Sequence, residues 1–428
     1  MVYIIASRLR TGQSRRRRAR SLSIVPALVA AACLAVTACG GASGSSIAQP
    51  PKTSTTEPSK TSTTEPPITS TAAYRWGVVG NQGKIAQLEL KTPAVVPGIT
   101  GTVVQIATSN SDGYALTSAG QVYAWGVNSY GELGDGQLTP YQTTAVRVGF
   151  PAGVKITALP NPMPFDAGLA IDSTGHAWGW GLNGAGDLCL SGLTHSRPQR
   201  LPLSGITLAT GARTHALFYS DGTVYACGSG DAGELGNGSA ASRSQPTPVA
   251  GLPRGAQVTA LTSSWEGSGA LLADGHYYDW GYNAAGQLGN GTTHDSAVPV
   301  KADLPGPVTQ VFQGGSGKTN GQTVAMLKDG SVWAWGNNTR GQLGNGTAAN
   351  SDLPARVRIP AGVTFVKVTS GGYTSFAIDS AGRLWDWGGN NNGQLGTGSA
   401  QPIATLPVDV GIHVTQVSST ASNVAGLR

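Results

Sequence analysis

From residue 74 onward the apolar residues come in short bursts broken by Gly, Asn and Ser, and the bursts repeat. An aromatic-x-Trp-Gly signature marks each copy. It occurs as Tyr74-Arg-Trp76-Gly77, Tyr123-Ala-Trp125-Gly126, Trp178-Gly-Trp180-Gly181, Tyr225-Ala-Cys227-Gly228, Tyr278-Asp-Trp280-Gly281, Trp333-Ala-Trp335-Gly336 and Trp385-Asp-Trp387-Gly388. The second aromatic position recurs at intervals of 49, 55, 47, 53, 55 and 52 residues, and only Cys227 breaks the Trp. Five residues before it stands a Gly: Gly120, Gly175, Gly222, Gly275, Gly330 and Gly382. Further upstream lie apolar residues three apart, such as Val103 with Ile106 and Phe365 with Val368; downstream comes Asn-x-x-Gly-x-Leu-Gly, as in Asn283 to Gly289. Two rings separated by one residue share a face of a strand, because strand side chains alternate with period two. No stretch carries a useful helical period. Each unit therefore predicts strand, loop, strand, tight Gly turn, strand and Gly-rich loop.

One such sheet cannot bury its aromatic face alone, whereas seven packed radially can, which predicts an all-β, seven-bladed β-propeller. The ends agree with closure. Val414-Thr-Gln-Val417 through Leu427 matches the front half of a unit, and Tyr74-Arg-Trp76-Gly77 supplies a back half. The last blade is then closed by N- and C-terminal strands, which removes the open sheet edge.

The unit of about fifty residues, with [Trp/Tyr]-x-Trp-Gly-x-Asn-x-x-Gly-x-Leu-Gly and the Gly-Ala-Arg-Thr-His-Ala-Leu of residues 211–217, resembles the regulator of chromosome condensation repeat family over residues 74–428. That resemblance implies the propeller fold and leaves function open, since the fold serves unrelated tasks. Family members include an exchange factor for a small GTPase, a plant ultraviolet-B receptor and secreted bacterial inhibitors of β-lactamases. The photoreceptor's repeated Gly-Trp-Arg-His-Thr is absent, and Gly211-Ala-Arg-Thr-His215 has no Trp. The context is closest to the secreted inhibitors, in which aromatic residues of two loop sets contact the partner. By that resemblance the first loop set offers Tyr114, Phe165, Arg213, Trp265, Lys318 and Tyr373, and the second offers Tyr130, Tyr282 and Arg340. Trp265 is the one Trp outside the signature; it reads as an exposed anchor or as a residue packed on its own loop.

Charge and composition change the picture at the front of the chain. Residues 1–21 hold Arg8, Arg10, Arg15, Arg16, Arg17, Arg18 and Arg20 with no acid, and an apolar run from Leu22 to Ala38 follows. This order describes an export signal, by the Sec or the twin-arginine route. Val36-Thr37-Ala38-Cys39 resembles a lipoprotein lipobox, which makes Cys39 the lipid attachment site and residues 1–38 the removed signal. An uncleaved membrane span is the alternative. Residues 39–73, with Lys52-Thr-Ser-Thr-Thr-Glu-Pro58 recurring as Lys60-Thr-Ser-Thr-Thr-Glu-Pro66, read as a disordered tether. The formal charge of +6 belongs to the signal. Seven of the 28 basic residues lie there, leaving 21 against 22 acidic ones, a net of −1. No basic patch for nucleic acid remains. Of four Cys, Cys189 and Cys227 stay after Cys33 leaves and Cys39 is lipidated; an oxidising compartment permits them to pair or leaves them as thiols.

Candidate catalytic chemistry is sparse. The six His are scattered, and neither H-E-x-x-H nor G-x-S-x-G occurs. No cofactor or metal is expected. Gly317-Lys318-Thr319 imitates a P-loop, but its first Gly is replaced by Phe312 and a strand pattern follows where a helix is required. Register places it in a hairpin loop: Val311 to Ala325 spans fourteen residues where Ile106 to Ala115 spans nine, so this loop carries an insertion. The expected function is a protein-binding module outside the membrane, possible roles being an inhibitor or scaffold of an envelope enzyme. Exchange activity on a small GTPase and a glycan-active propeller enzyme stand as alternatives.

Overall fold

The computed structural model describes residues 72–79, 88–315, 317, 319–420 and 423–427. Among them every regular element is a strand, and 28 strands form seven four-stranded antiparallel sheets. Blade one spans 103–147, blade two 156–200, blade three 206–248, blade four 258–301, blade five 308–356 and blade six 365–413. Blade seven joins both ends of the chain: Ala73–Val79 lies between Asn423–Leu427 and Leu88–Val95, with Ala73 opposite Leu427. First strands of successive blades adjoin around an axial channel, as Val308–Gly314 meets Phe365–Ser370, which meets Gln416–Thr420. The fold is the expected seven-bladed propeller. The export signal, Cys39 and the tether up to residue 71 lie outside the described residues, and Ala73, placed in the tether by the sequence, opens a strand instead.

Each blade has one strand more than the sequence pattern announces. The fourth strand is the outer edge, for example Ser351–Arg356 and Ser296–Lys301, and its side chains are largely half-buried or exposed. A Pro recurs there at a shared register, as Pro93, Pro198, Pro246, Pro299, Pro354 and Pro407, with Ala145 in blade one. Pro lacks the ladder N–H and so belongs on an edge or in a bulge. The register shifts at this place: Ala334 faces Ala355 while Gly336 faces Ser351. Bulge and Pro together blunt an edge that would otherwise pair with other chains.

The signature Trp joins one blade to the previous one. Trp76, Trp125, Trp180, Trp280, Trp335 and Trp387 are all 0% exposed. Five indole N–H groups reach backward to a loop carbonyl: Trp76 donates to Gln394 O at 3.1 Å, Trp180 to Glu132 O at 2.8 Å, Trp280 to Glu234 O at 2.9 Å, Trp335 to Gln287 O at 2.8 Å and Trp387 to Gln342 O at 2.9 Å, while Trp125 Nε1 has no partner among the described residues. The last Gly of each Asn-x-x-Gly-x-Leu-Gly loop lies flat on that indole. A Cβ at Gly289 would stand 2.7 Å from Trp335 Nε1, and one at Gly344 2.7 Å from Trp387 Nε1, so only Gly admits the contact. The loop's Asn holds it in shape by accepting the Leu N–H, as Asn338 Oδ1 does from Leu343 at 2.9 Å. Truncating a buried Trp costs about 3–5 kcal/mol, which makes these junctions the main mechanical joints.

Cys227 replaces Trp at the junction of blades two and three, and Cys189 occupies the place of the Gly. The two are joined in a disulfide with Cα atoms 5.6 Å apart. A covalent bond thus stands where the other junctions stack indole on glycine. The sequence held a signal for this pairing: two Cys at repeat positions that contact each other across every junction.

A second kind of joint lines the channel. Gln310 donates to Val366 O at 2.8 Å and accepts from Val368 N at 3.1 Å. Gln416 spans Val104 O and Ile106 N in the same way, at 3.0 and 3.3 Å, and Gln105 spans both backbone groups of Leu159, at 2.6 and 2.9 Å. Lys367 donates to Thr415 O at 2.8 Å. These side chains share one register position in the first strand. Blades two, three and four carry Ala158, Leu208 and Ala260 there.

Candidate functional site

On one face of the disc the loop after each first strand runs beside the loop after the third. Leu182 N donates to Asp166 O, Ser229 N to Thr214 O, Tyr282 N to Glu266 O, Asn337 N to Gly321 O and Gly389 N to Tyr373 O, all within 2.7–2.9 Å. This face therefore presents two loops per blade, as the chain direction predicts.

Three of the expected side chains meet there, each from a different blade. Phe165 of blade two and Trp265 of blade four touch edge to face, with ring centroids 5.3 Å apart and planes at 70°. Arg213 of blade three lies over both: its Cζ is 3.8 Å from the Trp265 centroid and 5.6 Å from that of Phe165. Phe165 N is pinned to Ala212 O at 3.0 Å. Trp265 is half-buried by this packing, so it is neither a lone exposed anchor nor packed only on its own loop. Arg213 stays exposed. Stacking orients the guanidinium, worth about 0.5–2 kcal/mol depending on desolvation, and leaves its N–H edges to solvent. Beneath the stack the channel mouth narrows to a cavity of about 30 Å³, room for about one water. Gln313 Oε1 and Ser419 Oγ on its wall are buried without hydrogen-bond partners among the described residues.

A second stack stands on blades five and six. Arg340 Cζ lies 4.9 Å from the Tyr373 ring centroid, and Asn320 Nδ2 donates to the Tyr373 hydroxyl at 2.6 Å. Asn320 belongs to the inserted loop, which leans on blade six through Gly315 N to Gly371 O at 3.0 Å. That loop joins strands Val308–Gly314 and Gln322–Leu327, so the P-loop look-alike is a hairpin connection with strands on both sides. Lys318 lies outside the described residues. Sequence reasoning did not single out Asn320; the insertion itself was the available signal.

The remaining candidates divide. Tyr114 is a correction: it is the third residue of strand Asp112–Thr117, fully buried, and donates its hydroxyl to Glu132 O at 2.9 Å. The strand starts earlier than the loop assignment assumed, and period-two alternation turns the ring into the core. Tyr130 is 37% exposed on the second loop of blade one. Tyr282 is half-buried beside the Trp265 loop. His215 is a core residue whose Nε2 lies 2.7 Å from Ser268 Oγ; both side chains are sealed from solvent.

Carboxyl groups gather where blades one and two meet. Burial pushes Glu132 up to about 7, with Asp166 adding repulsion, and burial likewise pushes Asp187 up to about 7. Asp166 is raised by burial and pulled back by Asn110 and the Arg213 charge. Glu132 Oε2 accepts from Tyr130 N at 2.7 Å, the role taken by Gln287 and Gln342 in blades four and five. No group of three or more metal-ligating side chains occurs among the described residues.

Comparison with known proteins adds the family. Residues 221–271, 274–317, 329–378 and 381–426 match the regulator of chromosome condensation (RCC1) repeat. Four stretches of the chain thus match this repeat, within a seven-bladed propeller. The ultraviolet-B receptor UVR8 of Arabidopsis thaliana is 30% identical over 295 residues, which are 66% of this chain and 64% of the receptor. The E3 ubiquitin-protein ligase HERC2 of Homo sapiens is 27% identical over 311 residues, 69% of this chain but 6% of the ligase. Among solved structures, human WBSCR16 superposes with a TM-score of 0.72 at 19% identity, covering 84% of this chain and 98% of that one. Prp20p of Saccharomyces cerevisiae reaches 0.70 at 21% identity, covering 84% and 91%. At these identities the structural likeness speaks for the fold alone.

Proposed function

We propose that this propeller is a protein-binding module whose loop face takes the partner, and that it works outside the membrane on a lipid anchor at Cys39. The observation that carries the binding reading is the Arg213 guanidinium lying over the touching rings of Phe165 and Trp265. Trp, Tyr and Arg dominate binding hot spots, and the two stacks preorganise all three types on one face. Preorganised side chains lose less entropy on binding. The structure of the fold relative Prp20p is described with its binding to Gsp1p and histones, and with Kap60 bound. Both descriptions are compatible with binding as the task of such a disc. Burial of the Ser268–His215 pair argues against that pair as a nucleophile and base, because substrate cannot reach it.

The location reading rests on the Arg-rich start, the apolar run and Cys39. The Cys189–Cys227 disulfide supports it, since such bonds persist in oxidising compartments. The test is capture on the immobilised full chain from envelope extract, repeated with Arg213→Ala and Trp265→Ala. A saturable partner that weakens about 30-fold or more in either variant is expected. A partner indifferent to both would end the loop-face reading. Mass spectrometry of the membrane fraction should find Cys39 acylated; an unmodified chain in the cytosol would end the location reading.

A further inference from the structure

Toward the face opposite the loops the axial channel opens into a cavity of about 300 Å³, lined by Gln105, Gln310, Gln416, Lys367, Phe312 and Val417 among others. Val366 on its wall is 42% exposed, so the cavity reaches solvent. Its size falls at the lower end of small-molecule sites.

The polar chemistry of the wall is one-sided. Each Gln spends its carbonyl oxygen and one N–H on the neighbouring blade's backbone. A carboxamide carries two N–H groups; Gln310 gives its second to Met326 Sδ at 3.7 Å, whereas Gln105 and Gln416 keep a second donor. Lys367 gives one N–H to Thr415 O and enters none of the ion pairs among the described residues. No Asp or Glu lines the cavity. What remains is an excess of donors, one positive charge and apolar surface from Phe312 and Val417.

We propose that this cavity binds a small organic carboxylate with an apolar body. The carboxylate sits on the Lys367 ammonium and the spare Gln N–H groups, and the apolar body lies against Phe312. One cation matches a monoanion; Lys367 is exposed at the open end of the cavity, and a phosphate dianion would bring a second charge that no lining residue neutralises. The inference is independent of the loop-face reading, since none of these residues belongs to either stack.

The test is ligand-observed NMR and calorimetry on the full chain with benzoate as probe and benzyl alcohol as its uncharged counterpart. Benzoate should saturate, and bind about tenfold or more tighter than benzyl alcohol. Lys367→Gln should weaken benzoate about tenfold while leaving benzyl alcohol unchanged. Phe312→Trp, which fills the cavity, should abolish both, with the melting temperature reporting that each variant is folded. Lys301→Gln on the outer strand of blade four is the control and should change nothing. Lack of saturation by about 10 mM benzoate, equal affinity for the two probes, or benzoate binding unchanged in folded Lys367→Gln would each overturn the proposal. If one cavity variant does not fold, the other decides, together with the ratio of the two probes on the unmodified chain.

Discussion

Two arcs of the ring are joined differently. From blade five through six, seven and one to two, each first strand sends a side chain to its neighbour's backbone: Gln310, Lys367, Gln416 and Gln105. From blade two through three and four to five, the same register carries Ala158, Leu208 and Ala260. That second arc holds the Cys189–Cys227 disulfide and the Phe165–Arg213–Trp265 stack. The clasped arc contains blade seven, where the chain ends meet and where covalent continuity within the sheet is missing. Each Gln clasp pairs one N–H and one C=O at a fixed spacing, so it sets register as well as adding energy, while Lys367 holds a C=O alone. Apolar contacts tolerate sliding. In the second arc a disulfide and a cross-blade stack add to the polar contacts farther along the first strands, Thr210 Oγ1 with Ser263 Oγ at 2.9 Å and Gln313 Nε2 with Asp279 Oδ1 at 2.7 Å.

This comparison can be broken most severely at the disulfide. Cys189→Ala with Cys227→Ala should lower stability by about 2–4 kcal/mol, given the 38-residue separation. Cys189→Gly with Cys227→Trp rebuilds the indole-on-glycine joint of the other junctions and should recover much of that loss in melting experiments. A double variant no better than the Ala pair would mean that this junction cannot accept the ordinary joint.

At the clasped arc, Gln310→Leu should cost about 1–2 kcal/mol, because Val366 O and Val368 N lose their partner. Leu208→Gln in the other arc should give no gain. Equal and opposite effects would show that the clasp is merely additive.

A smaller effect follows from pH. The folded chain holds a proton on Glu132 up to about 7, against an ordinary 4.5, and the unfolded chain releases it earlier. That stability is fully present below about 4.5 and is lost as pH rises through about 7. The melting temperature should therefore fall by a few degrees between about pH 5 and pH 8. Glu132→Gln, the residue other blades use in this place, should flatten the slope and raise the melting temperature at neutral pH. A slope unchanged by the substitution would clear Glu132 of the effect. Last, Arg213→Ala should shift stability by less than about 1 kcal/mol, since the guanidinium is exposed. A larger drop in the melting temperature would make the stack a structural joint first.

Repetition made the fold legible. Trp, Gly and Asn each recur because every junction poses the same packing problem, and the half-units at the two ends follow from the same count. The outer strands were not legible: they are short, half-exposed and polar, and their best marker is a Pro that ordinarily argues against a strand. Tyr114 was misassigned because strand and loop differ there by a few residues, and one position of register exchanges core for surface. Phe165, Arg213 and Trp265 were each named by loop position, but nothing in one sequence says that residues about fifty apart touch.

The sequence by itself determined the number of blades, their closure through the two chain ends and the faces that Trp must bury. These depend on local period and on composition, which a chain carries from residue to residue. Only the tertiary structure decided that Cys189 faces Cys227, that Arg213 lies over rings of two other blades, and that Lys367 stands among amides and apolar surface without an acid. Those are contacts between blades. Their partners are set by the radius and turn of the ring rather than by any neighbour along the chain.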